Sequence, residues 1–147
     1  MLAFFALATF KLFLESTSMS DKLLIDKYTG ETVKFDQATA SMYDAEVDAV
    51  GLWQIAPQGR DRYGLEDDDL VKFICLTLFY MFARGAKPVV GRAGVGHWIL
   101  KDYGDTPEAM ADAIIAEWLA AGAVAPKPYD SLWFALPHIY SPDNKIG

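Results

Sequence analysis

The sequence predicts an α+β fold, or a small α/β one: a single domain with a small, mostly antiparallel sheet and an N-terminal hairpin, packed against roughly three helices. Three observations carry that prediction. Two short apolar-bearing runs flank a Gly-containing turn near the start of the body, and a long, almost wholly apolar segment occupies the middle. A third segment brings its apolar residues back at helical spacing. The chain has 147 residues, a length that suits one domain. Apolar residues make up 52% and charged residues 22%, which supplies a core and argues against general disorder.

The hairpin is read from Lys22-Leu-Leu-Ile-Asp-Lys27 and Thr32-Val-Lys-Phe35, on either side of Tyr28-Thr29-Gly30-Glu31. Asp36 is placed to cap a helix through Ala38, Met42 and Ala45. Val50 to Ile55 reads as a strand or extended segment, and Pro57 to Gly64 as a loop. Glu66-Asp-Asp-Asp69 then opens a helix near 66–84. Acids at its front, Arg84 at its end and Gly85 just beyond suit both the helix dipole and a C-terminal cap. Lys72 is the only charge between Leu70 and Ala83, so this helix is expected at the centre of the core.

Arg92 to Gly96 is expected as a loop and His97 to Tyr103 as a strand. An amphipathic helix near 106–121 follows, with Pro107 in its first turn and Gly122 ending it. Met110, Ile114 and Trp118, with Ile115 and Leu119 beside them, form its inward side. Ser131 to Leu136 reads as a last strand. The expected partition is an apolar extension over 1–18, one globular body over 19–140 and a frayed tail over 141–147.

The first eighteen residues admit three readings: a dispensable extension before a start at Met19, a signal or anchor, or a packed helix. The apolar run before Lys11 is short for a membrane span and lacks a preceding basic segment. Cys75 is the only cysteine, so no intramolecular disulfide and no cysteine metal cluster can form. A reducing, cytoplasmic setting is the expectation, with export or tethering through residues 1–14 as the alternative.

Chemical motifs are weak throughout. Gly91-Arg-Ala-Gly-Val-Gly96 lacks the Lys and Ser/Thr of a phosphate loop and reads as a turn. Residues 66–69 lack calcium-loop spacing, and their charge suits a helix start. His97 and His138 stand without a ligand or base motif, and Cys75 lies in a segment expected to be buried. No catalytic residue, metal site or cofactor is assigned.

Thirteen Lys+Arg against twenty Asp+Glu give a net charge of −7, which disfavours nucleic acid and favours a basic partner. Four Trp, nine Phe and seven Tyr can equip a contact surface as well as a core. The expected function is therefore a non-catalytic acidic protein-binding domain, with an immunity-type inhibitor as one concrete form. Its candidate contact residues are Arg60, Arg62, Tyr63, Glu66, Asp67, Asp68 and Trp133. The alternative is a small enzyme or ligand-binding domain whose site gathers His97, Asp102, Tyr103, Arg60, Arg62 and His138.

Overall fold

Alternation between exposed and buried side chains sets up the first element. In a computed structural model that describes residues 15–43, 49–91, 98–123, 132–136 and 145–146, strands β1 (Leu23–Ile25) and β2 (Thr32–Lys34) pair antiparallel. Leu24 faces the core while Leu23 and Ile25 face out. The turn closes where the Asp26 carbonyl accepts from Gly30 N–H at 2.7 Å, with Gly30 at φ 76, which suits a residue without Cβ.

Helix α1 (Phe35–Tyr43) follows without a gap and sets Phe35 edge-on to Phe73, ring centroids 6.0 Å apart. The helix starts two residues earlier than a cap at Asp36 implies, so Asp36 lies in its first turn rather than at its cap. Upstream, residues 15–18 form a helical turn with Ser16 fully buried, so the packed body begins before Met19.

The 50–64 region departs most from the sequence expectation. Strand β3 (Ala49–Gly51) is short, and helix α2 (Leu52–Pro57) replaces the rest of the expected strand. Gln54 causes the switch: its Oε1 accepts from Gly51 N–H at 2.8 Å and ties off the helix start. A short apolar run does not reveal this, because strand and buried helix share that pattern. The expected loop is instead a π-helical turn, Gln58–Arg62. Pro57, which has no N–H to donate, sits at the junction where the hydrogen-bond pattern changes.

Helix α3 (Asp67–Ala83) is the central element, as its composition requires, with Phe73, Ile74, Leu76 and Leu78 fully buried. It packs on α1, on the π turn and on helix α4 (Pro107–Ala120). Thr106 starts α4 as the charge and Pro pattern predicts, its hydroxyl oxygen accepting from Ala109 N–H at 3.1 Å. Leu119 is the exception on the expected inward face of α4; it is 48% exposed.

Strands β4 (Lys87–Gly91), β5 (Trp98–Lys101), β6 (Leu132–Ala135) and β7 (Lys145–Ile146) join β3 in a second sheet of order β3-β6-β4-β5-β7. All neighbours are antiparallel except β5 and β7. β4 had no counterpart in the sequence expectation. Its Pro88 is paired with Phe134, while the β5 ladder begins only at Val89, so the missing N–H falls where β4 has one neighbour. Phe82 of α3 meets Phe134 of β6 edge-on at 5.5 Å and joins the helices to the sheet. Lys145 and Ile146, expected in a frayed tail, extend the edge of this sheet. The result is one α+β domain with a continuous core.

Candidate functional site

The π turn, the start of α3 and the end of α4 meet around an open depression of about 510 Å³. Its rim carries Arg60, Glu66, Asp67 and Asp68, and Trp118 and Leu119 of α4 contribute to its apolar lining. Three carboxylates against one guanidinium make the rim anionic. Four acids in a row do not all point the same way. Asp69 turns aside to form an ion pair with Lys22 at 2.9 Å, fastening α3 to the hairpin. Glu66, Asp67 and Asp68 remain exposed.

Asp67 holds φ at 50°, in the left-handed region that Asp tolerates better than most residues. Asp69 and Leu70 N–H both donate to the Glu66 carbonyl, at 3.1 and 3.3 Å, and close the first turn. Among the described residues no three His, Cys, Asp or Glu side chains form a metal-holding group.

The remaining expected contact residues do not join this rim. Arg62 donates from Nε and from a terminal nitrogen to one oxygen of Asp26, at 2.9 and 2.7 Å, and its guanidinium lies over the Tyr28 and Tyr63 rings. Asp26 is buried, and its carboxyl is held down to about pH 2, first by the Arg62 hydrogen bonds and then by the Tyr28 and Thr29 backbone. The expected outward role of Arg62 is thus replaced by an internal one: it neutralises the carboxylate that organises the hairpin turn.

Tyr63 is also corrected. Its ring is buried 5.9 Å from that of Phe73, inside the core. Trp133 is half-buried in the middle of the second sheet, opposite Gly51 on β3 and Val89 on β4.

The residues suspected of dispersed catalysis are held in separate contacts. Tyr103 donates to Glu117 at 3.0 Å, while Lys101 lies 3.7 Å from the same carboxylate and 4.9 Å from the Tyr103 ring centre. Burial raises the Tyr103 phenol, and the hydrogen bond to Tyr103 raises Lys101. Asp102 accepts from Gly104 N–H at 2.9 Å and shapes the turn before α4. Arg60 belongs to the acidic rim and Arg62 to Asp26. His97 and His138, like the Arg92–Gly96 loop, lie outside the described residues.

Two further titratable groups stand between α3 and its neighbours. Burial pushes the Cys75 thiol up to about 11, and the Ser16 hydroxyl bonded to it offsets only part of that rise. Burial also raises the Asp112 carboxyl, to about 6. A thiol so protonated is no nucleophile at neutral pH.

No known family model, curated protein or solved structure matches the chain. Among the described residues no helix is long and apolar enough to cross a membrane.

The acids and Arg60 of the rim are among the contact residues expected from the sequence; its apolar partners are not. Leu70, Val71, Trp118 and Leu119 read as ordinary helix-face residues and Ala123 as a residue just past a helix end, because nothing local says that α4 ends beside the start of α3.

Proposed function

We propose that this protein is a non-catalytic binding domain that covers a basic surface of a partner protein, using the depression between the start of α3 and the end of α4. The juxtaposition of an exposed acidic rim with an apolar lining carries this reading. A Lys or Arg side chain has the complementary build, an aliphatic stem and a cationic head. Its stem would lie on Val71 and Leu119 while its head met Glu66, Asp67 and Asp68. The net charge of −7 adds long-range attraction to a cationic partner and raises its encounter rate. An immunity-type inhibitor that neutralises a basic effector is the most specific form of this proposal.

The test compares two baits in affinity capture from the native host: the full chain, and the same chain with Glu66→Gln, Asp67→Asn and Asp68→Asn. A basic protein retained by the first, lost from the second and released by roughly 0.5 M salt is expected. Equal retention on both baits, or none on either, would refute the acidic-rim reading.

A further inference from the structure

We infer that the depression between the start of α3 and the end of α4 takes a chain end: a C-terminal Lys or Arg of the partner protein, with its α-carboxylate on Arg60 and its cationic head on Glu66, Asp67 and Asp68. This rests on the binding role proposed for the depression and accounts for the one lining group which that role leaves without a task. Arg60 places a positive charge where a cation is to be received. Facing only an incoming Lys or Arg head, its guanidinium would repel the ligand.

The charges around the depression are unpaired. Among the described residues the side chains of Arg60, Glu66, Asp67 and Asp68 form no ion pair or hydrogen bond, although all four are exposed and line the same hollow. Pairing is not barred at this end of α3, since Asp69 holds Lys22 at 2.9 Å. Asp61, next in sequence to Arg60, does not line the depression. A guanidinium and three carboxylates thus share an open hollow of about 510 Å³ without closing on one another, over a lining that includes Val71 and Leu119.

Two unlike charges joined by an aliphatic stem match such a lining. A C-terminal Lys or Arg carries both on one residue, with the α-carboxylate at one end of the stem and the cationic head at the other. A carboxylate suits Arg60 in particular, because the planar guanidinium can hold both of its oxygens. An internal Lys or Arg brings only the head and leaves Arg60 opposing it. Net charge cannot imitate a preference for the chain end. A chain of −7 draws a peptide with an amidated end, and so a net positive charge, more strongly than the zwitterionic free acid. Tighter binding of the acid therefore requires a cation at the site itself.

The probes are two N-acetylated tripeptides ending in Lys, one with a free carboxylate and one with a C-terminal amide. Each is titrated into the full chain and followed by NMR amide chemical shifts. The free acid is expected to bind roughly tenfold more tightly than the amide, with shifts centred on Arg60, Val71 and Leu119. In Arg60→Gln, at an exposed position, the acid loses that advantage while the amide binds equally well or better, because the repelling charge is gone. An amide that matches the acid on the unaltered chain would overturn the inference. So would an Arg60→Gln variant that strengthens both peptides alike, or the absence of shifts from either peptide. The acidic-rim reading is decided separately, by capture of a basic protein on the full chain against the triple variant. Capture that depends on the three acids, together with equal binding of acid and amide, sinks the chain-end inference alone.

Discussion

Asp26 illustrates how a residue's chemistry is set by its neighbours. Its side chain accepts from Tyr28 N–H and from Arg62, while its carbonyl accepts from Gly30. A folded carboxyl near pH 2 against an ordinary value of 3.8 stabilises the native state fully above about pH 4, and that contribution fades as pH falls through the folded value. In Arg62→Gln the cation is gone and burial raises the same carboxyl. The acid-unfolding midpoint should then move up by roughly one to two pH units, followed by fluorescence or circular dichroism. An unchanged midpoint would mean that Arg62 does not hold Asp26. Asp112 has the opposite sign: with its carboxyl raised from 3.8 to about 6, its contribution is fully present below the ordinary value and is lost as pH rises through the folded one. The role of Arg62 is not visible in the string Arg60-Asp61-Arg62-Tyr63, which reads as a polar loop. The partner of Arg62 is 36 positions away.

At the scale of elements, the π turn matters most for the site, because it brings Arg60 to the acids of α3. It lies against α3 only because Gly59 has no side chain: a Cβ there would come within 2.8 Å of Leu70 Cδ1 and Phe73 Cδ1. Gly59→Ala must push two buried side chains off their positions, and a destabilisation of about 1–3 kcal/mol is expected in urea titration. A neutral result would show that the turn shifts freely. The elements with strong local signals agree with the sequence. α3 follows from its composition, α4 from Thr106-Pro107, and the hairpin from its alternation and Gly30. Those that differ, α2, the π turn and β4, are short, and each depends on a contact that sequence spacing does not encode. For α2 it is Gln54 reaching back to Gly51; for β4 it is the ladder to β6 more than forty positions away.

For the whole molecule, the helices and the second sheet share one core that runs from Phe35 through Phe73 to Phe82 and Phe134. Cys75 lies within it, 4% exposed, and reports on its integrity. At pH 8 a thiol with a pKa of about 11 is almost wholly protonated as well as inaccessible. Labelling by a thiol reagent should therefore proceed through opening of the core, and its rate should rise with urea along the same slope as global unfolding. Labelling within seconds in native buffer would point to a local opening around residues 15–18 instead. The sequence alone determined what depends on composition and near neighbours: the α+β class, the buried central helix, the capped amphipathic helix, the hairpin and the net negative charge. Tertiary structure decided which charges face outward. Packing turned Arg62 and Tyr63 inward and left Leu119 exposed beside three carboxylates, because a surface is made wherever distant segments stop covering one another.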